Sequence, residues 1–339
     1  MERLSSLSSQ ITSLENFVKI EYKTAYNVLL ICKPNQPQSY EILEKIFQSS
    51  KAQNLAIKVY VEKGFSQEDQ QLFQERYSSD CNFFESESCE QEIDIVVTYG
   101  GDGTILYTVN KFQKRTTPPI LAISGGTLGF MCIYSLQEVE IQLNNLFQRL
   151  KQKIPIPIER KMRLQLAKFS PENEITEVKH AINEFVIERG ALSACLRLQI
   201  FVENIPLTAL QTDGLIINTP TGSTAYSLSA GGPIVYNDVK CMSVVPICPL
   251  SLSFRPLLLH PSQSLKVKVH PESRNEARVV GDGQFSVQLL KNEEIVITSS
   301  NFDVLLINDQ KNELNLQQYI IKLKKMLRWS SKFKPNFKS

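Results

Sequence analysis

Residues Asp94–Thr108, DIVVTYGGDGTILYT, decide the reading of this chain. The first half, DIVVTY, is a short apolar run of the kind that forms a buried strand. The stretch that follows the glycines, TILYTVNKF, has apolar residues at helical spacing. Between them lie Gly100, Gly101, Asp102 and Gly103. Glycine is scarce here, with 14 in 339 residues, against an average usage of about 7%. Six of those 14 fall between Gly100 and Gly129. A strand-to-helix turn at the carboxyl end of a parallel strand is where open α/β sheets bind ligands. Glycines let the backbone turn sharply and let a ligand come close. Unpaired N–H groups at the helix start favour phosphate. A carboxylate beside such a turn repels phosphate unless it has a task. It holds a cation, or it takes the proton of an attacking hydroxyl. The pattern therefore points to phosphoryl transfer, with Asp102 at the mouth of a turn built from Gly100, Gly101 and Thr104.

Two better-known loops are excluded. There is no GxxxxGK[ST] and no Gly-Lys pair, so this is not a Walker A loop. Thr104, Ile105 and Leu106 stand where a dinucleotide fingerprint needs its third glycine. A second glycine turn, SGGTLGFM (Ser124–Met131), follows another apolar run, PILAI. Gly126 and Gly129 would line the same crevice.

Outward from these turns, strand and helix alternate. NVLLICKP reads as a strand, QSYEILEKIFQSSKAQ as a helix, LAIKVYVEK as a strand and SQEDQQLFQERY as a helix capped by Ser66. SSDCNFFESESCEQE reads as a polar loop. The alternation predicts a parallel sheet with helices on its faces, a Rossmann-like α/β domain over 1–154. Ahead of it, Leu4, Leu7, Ile11, Leu14 and Val18 predict an amphipathic helix.

After about residue 155 the period changes to two. SLKVKVH puts Leu265, Val267 and Val269 on one face and Lys266, Lys268 and His270 on the other. CLRLQIFVENI, ARVVGDGQFSVQLL and EEIVITSS are alike. A β-rich, sandwich-type domain over 155–300 is expected. Within it, TDGLIINTPTGSTAYSLSAGGPIV (Thr212–Val235) concentrates glycines and small hydroxyl residues suited to a polar ligand. HAINEFVIERG places Asn183 and Glu184 at a strand start, and an Asn side chain both donates and accepts, as adenine's edge requires. Gly281-Asp282-Gly283 reads as a hairpin turn. Residues 301–339 form a return segment: NELNLQQYIIKLKKMLRW is helical, with a capping box at Asn315 and Gln318, and a basic tail follows.

Composition bounds the rest. The net charge is +2, which gives no general pull toward nucleic acid or membrane. Seven scattered cysteines without metal-site spacing read as reduced thiols of a cytoplasmic protein. Three distant histidines argue against a histidine-rich metal site, and no metal-ligating side chain is assigned. No run of 18 apolar residues occurs, and the stretch MERLSSLSSQITSLENF lacks the continuous apolar core expected of a secretory signal.

The motifs together resemble the NAD kinases. The matching stretches are GGDGT (Gly100–Thr104), GTLGF (Gly126–Phe130), NE (Asn183–Glu184), DGLIINTPTGSTAYSLSAGGPI (Asp213–Ile234) and PICPLSLSFRPLLL (Pro246–Leu259). The last looks closer to the eukaryotic branch. GGDGT alone is shared with lipid kinases, whereas the TPTGSTAYSLSAGGP block is specific. The resemblance covers roughly residues 25–330. It implies an α/β domain, a β-rich domain and a C-terminal segment that packs back on the first. It implies transfer of the γ-phosphoryl of ATP to the 2′-hydroxyl of the adenosine ribose of NAD, with Mg²⁺. By it, Asp102 is the base and Gly103 lies beside the substrate. Asn183, Glu184 and Asp213 bind NAD, Thr224, Ala225, Tyr226, Ser227 and Ser229 line the adenine and ribose site, and Gln284 is a further binding position. Gln211 stands where many bacterial members carry a basic residue. A homo-oligomer is expected. Rival readings are a lipid or sugar kinase with the same turn, or a dinucleotide sensor without activity.

Overall fold

The computed structural model describes residues 16–32, 38–62, 71, 75–77, 80–84, 92–126, 129–190, 194–251, 253–309 and 312–328. The chain divides into two compact units. One comprises residues 1–108, 118–159 and 305–339, the other 109–117 and 160–304.

The first unit holds a nine-stranded, mainly parallel sheet. Its strands are β1 (Phe17–Val18), β2 (Tyr26–Cys32), β3 (Ile57–Glu62), β4 (Cys81–Phe84), β5 (Ile95–Gly100), β6 (Ile120–Ser124), β7 (Tyr134–Ser135), β8 (Ile156–Lys161) and β21 (Val304–Ile307), the last numbered for its place in the chain. The order is β1-β8-β21-β6-β5-β2-β3-β4, with β7 beside β6. Every residue of β5 and β6 is buried, as the continuous apolar runs require. Helices Gln38–Ala52 and Val139–Gln152 bury Ile42, Leu43, Ile46, Leu143, Leu146, Phe147 and Leu150 in the same core as the strands. Strand order reverses between β2 and β5: β2 leads to β3 on one side, and β5 leads to β6 on the other. The GGDG turn leaves the carboxyl end of β5, at this switch point, where open sheets bind ligands.

The second unit is a sandwich of two six-stranded antiparallel sheets. One contains β9 (Leu164–Phe169), β10 (Ile175–Ala181), β12 (Leu196–Val202), β13 (Ile205–Thr212), β17 (Leu265–Val269) and β20 (Glu294–Ser299). The other contains β11 (Glu184–Arg189), β14 (Gly214–Asn218), β15 (Met242–Ile247), β16 (Leu257–Leu259), β18 (Ala277–Gly281) and β19 (Phe285–Leu289). Leu265, Val267 and Val269 lie in the core with Leu198, Phe185, Leu215 and Val279 from both sheets, as the period-two pattern predicts.

Three local expectations change. Val18 pairs with Ile156 in an antiparallel strand, so the predicted helix does not extend to it, and residues 1–15 lie outside those described. Cys81–Phe84, read as loop, extends the sheet edge parallel to β3: Cys81 is buried there, and β4 is too short for periodicity to reveal. The last helix spans Asn312–Leu327, so Asn315 lies within it rather than at its cap. The helix expected over Ser66–Tyr77 falls largely outside the described residues. Within the first unit the C-terminal helix buries Leu323 and sets the Tyr319 ring edge-on to Phe130, centroids 5.9 Å apart. This is the expected return. Among the described residues no helix is long and apolar enough to cross a membrane.

Candidate active site

Asp102 opens the helix Asp102–Asn110. Its carboxylate is held by three successive backbone N–H groups: Phe130 donates to Oδ2 at 2.8 Å, and Met131 and Cys132 donate to Oδ1 at 3.1 and 3.2 Å. A carboxylate has about four acceptor positions. Three are taken by backbone N–H groups, and the Cys132 thiol also interacts with the carboxylate. The orientation of the group is thus set by backbone.

The glycines divide by task. A Cβ on Gly100 would meet Thr104 Oγ1 at 2.0 Å, and one on Gly129 would meet Asp102 Oδ1 at 2.1 Å. These two make room for protein side chains. Gly101, Gly103 and Gly126 face open space, the arrangement that lets a ligand approach the backbone. None of them has a positive φ. Clearance, rather than left-handed geometry, explains their presence. Thr104 N–H bonds back to Gly101 O at 2.9 Å and closes the first helical turn.

In the second unit, Asn183 and Glu184 form a corner at the start of β11, 9% and 8% exposed. The Thr219–Thr224 turn packs on that corner. Thr219 N–H donates to Asn183 O at 2.9 Å, Thr219 Oγ1 donates to Ile182 O at 2.5 Å, and a Cβ on Gly222 would meet Asn183 O at 2.2 Å. Ser223 Oγ ties the turn to Val235, accepting its N–H at 3.0 Å. Thr224 and Ala225 are half-buried, and Tyr226 and Ser229 are exposed at the surface of the turn. Ser227 is fully buried, and its Oγ packs under Gly232. Its side chain is therefore not at that surface. Gln284 is exposed and bonds through its N–H to Gly281 O at 2.8 Å across a hairpin turn.

Asp213 is not brought to this corner. The register pairs Glu184 with Asn218 and Glu188 with Gly214, so Asp213 lies beyond the far end of β14, more than ~13 Å away at strand rise. A dinucleotide touching both Asp213 and Glu184 would have to span that length. Asp213 meets Arg189 Nε at 3.4 Å.

Sequence reasoning missed the supports. Arg163 is fully buried and donates to the carbonyls of Phe302, Phe112 and Arg115 at 2.7, 3.0 and 2.6 Å. Burial lowers its pKa to about 10. His180 bonds Ser300 Oγ at 2.9 Å, and its backbone exchanges two hydrogen bonds with the Gln113 side chain. Burial, with Arg163 nearby, lowers the His180 pKa to about 4. No periodicity marks a lone buried cation. Burial also pushes Glu184 up to about 8, with the Asp282 charge as the second cause. Among the described residues no group of three His, Cys, Asp or Glu is placed to hold a metal. A Mg²⁺ carried by phosphates and waters, with one or two carboxylates, needs no such cage.

Comparison with known proteins identifies both domains. The family model for the ATP-NAD kinase N-terminal domain matches residues 28–150, and that for the ATP-NAD kinase C-terminal domain matches residues 182–309. ATP-NADH kinase YEF1 of Saccharomyces cerevisiae is 30% identical over 329 residues, covering 90% of this chain and 64% of the relative. The NAD(+) kinase of the same yeast is 34% identical over 246 residues, 70% of this chain and 45% of the relative. The NAD kinase of Citrifermentans bemidjiense is 32% identical over 249 residues, 73% of this chain and 82% of the relative. The chain thus spans about half to two thirds of the length of the two yeast proteins. The crystal structure of yeast NADH kinase complexed with NADH superposes with a TM-score of 0.76 at 27% identity, covering 92% of this chain and 90% of that one. By both of its domains, the chain belongs to the ATP-NAD kinase family.

Proposed function

We propose that this protein is an NAD kinase that transfers the γ-phosphoryl of ATP to the 2′-hydroxyl of the adenosine ribose of NAD, giving NADP and ADP. The observation that carries the reading is the Asp102 carboxylate, fixed by three backbone N–H groups at the end of β5. A secondary hydroxyl is a poor nucleophile. A carboxylate oriented in advance takes its proton as the bond to phosphorus forms, a contribution of typically about 10²–10⁴-fold. Gly101, Gly103 and Gly126 leave the backbone open to phosphates. Asn183, Glu184 and the exposed face of the Thr221–Ser229 turn bind the dinucleotide. Mg²⁺ bound with the triphosphate offsets the developing charge.

The location we infer is cytoplasmic, supported by the free Cys32, Cys81, Cys132, Cys195, Cys241 and Cys248. A homo-oligomer is supported by exposed Ile205 and Leu207 on the edge strand β13, which light scattering tests.

The deciding experiment mixes purified protein with ATP, Mg²⁺ and either NAD or NADH and detects the phosphorylated dinucleotide with a specific dehydrogenase. The wild type forms product. Asp102→Asn still binds NAD and loses at least about 10²-fold in turnover. A folded wild type that forms no product refutes the reading, and unchanged turnover in the variant removes Asp102 from the base role.

A further inference from the structure

The hairpin joining β18 to β19 turns through Asp282 and Gly283, both left-handed at φ 51° and 66°. Asn, Asp or Gly would serve equally to close such a turn. Here the residue is Asp, and its carboxylate points inward. Oδ2 accepts the N–H of Ile182 at 2.7 Å, and Oδ1 accepts those of Asn183 and Glu184 at 2.8 and 3.1 Å. Asp282 N–H returns a bond to Glu184 O at 3.0 Å. The next ladder pair, Phe185 with Gly281, continues the attachment. The turn is thereby locked to the corner that carries Asn183 and Glu184. At that corner Glu184 Oε2 is buried with no hydrogen-bond partner. An unpaired buried polar atom is costly, so Glu184 Oε2 is poised to bond to a water or to a ligand that displaces it.

We propose that Asp282 is a positioning residue for the dinucleotide: its three amide bonds fix the Asn183–Glu184 corner so that Glu184 Oε2 meets the ligand. This deepens the NAD kinase reading and rests on it. The charge of Asp282 has a second effect. Burial and that charge together push Glu184 up to about 8, so near neutrality Glu184 is an undissociated acid able to donate. Asp282 itself is pushed up to about 6 by burial, against the three N–H groups and Arg163, and stays ionised at pH 7. The other charged groups around the corner are Arg163, which interacts with Asp282 and Asp303, His180 beside Arg163, and Lys179, whose Nζ lies 5.5 Å from the Phe285 ring centroid.

The test is calorimetric titration of NAD into the full chain between about pH 6.5 and 9, for the wild type, Asp282→Asn and Glu184→Gln. Asparagine suits the left-handed turn, but it sets an N–H₂ against backbone donors and removes the charge. Asp282→Asn is expected to bind NAD at least about tenfold more weakly. Its alkaline loss of affinity should begin at lower pH than in the wild type. Glu184→Gln, a permanent donor, should show no alkaline loss. Wild-type affinity and pH profile in a folded Asp282→Asn overturn the proposal. If that variant does not fold, an alkaline loss persisting in Glu184→Gln overturns it. A wild type that binds no NAD refutes the functional reading itself, and this inference with it.

Discussion

Gly129 lies against the carboxylate of Asp102, so close that a Cβ there would come within 2.1 Å of Oδ1. The atom in the way is the end of a side chain, so the carboxylate would move and the backbone would stay. Moving it breaks the bonds from Phe130, Met131 and Cys132. A displacement of about 1 Å at a reacting group costs on the order of 10²-fold in rate. Gly129→Ala is therefore expected to melt near the wild-type temperature and to lose about 10²-fold in kcat. Gly101→Ala is the contrast, since its Cβ enters open space. It should fold equally well, and any loss should fall on substrate affinity. Steady-state kinetics of the two variants separate a displaced base from an obstructed ligand.

The cradle of Asp102 has a support from the far end of the chain. Tyr319 sets its ring edge-on to Phe130, whose N–H holds Oδ2. Such an aromatic pair is worth about 0.5–1.5 kcal/mol beyond the area it buries. Tyr319→Ala should lower kcat several-fold by loosening Phe130, and Tyr319→Phe, which keeps the ring, should restore most of it. Equal losses in both would show that the hydroxyl, and not the ring, does the work.

Much of this was legible in the sequence. The uninterrupted apolar run of β5 and the period-two alternation of β17 each specify an environment, and the structure supplies it. The GGDG turn marks the switch point because Gly100 must clear Thr104 and Gly101 and Gly103 leave the backbone open, while Gly129 of the second glycine turn clears the Asp102 carboxylate. Other features carry no local signature. Asp282 reads as an ordinary turn residue because its role depends on amides 98–100 positions away. Arg163 reads as one surface charge among many, since the carbonyls it serves are distant in sequence. Asp213 and Glu184 sit in neighbouring motifs, yet strand register sends them to opposite ends of a ladder. Long-range pairing decides these cases, and one-dimensional spacing does not contain it.

Arg163 is the strongest stability test. Its guanidinium serves the carbonyls of Phe302, Phe112 and Arg115 from a fully buried position. Arg163→Met removes the charge and leaves buried carbonyls unpaired, at about 1–3 kcal/mol each. A loss of at least about 3 kcal/mol in urea unfolding is expected. Arg163→Lys should recover only part of it, because an ammonium cannot span the planar fork. Removing the exposed Arg197–Glu272 pair should cost less than about 1 kcal/mol.

Glu184 should make the free protein less stable as pH rises. Its pKa is about 8 when folded against the ordinary 4.5, so between these values the folded state holds the extra proton and stability falls with rising pH. Asp282, raised to about 6, acts in the same direction at lower pH. His180 acts oppositely: lowered to about 4 from 6.5, it makes stability rise with pH between those values. Above about pH 6.5 His180 is neutral in both states and Asp282 is ionised in both. Cys32, Cys81 and Cys132, raised to about 12 from 9, act only in more alkaline solution. The window from about pH 6.5 to 8 thus isolates Glu184, and a slope of 1.36 kcal/mol per unit gives a loss of about 2 kcal/mol across it. Glu184→Gln should abolish that slope and, at pH 8, be more stable than the wild type while binding NAD no better. Urea midpoints at pH 6.5 and 8 for both proteins check this. Parallel midpoints in the two would show that Glu184 is already ionised at neutral pH, and that it meets the ligand as an acceptor.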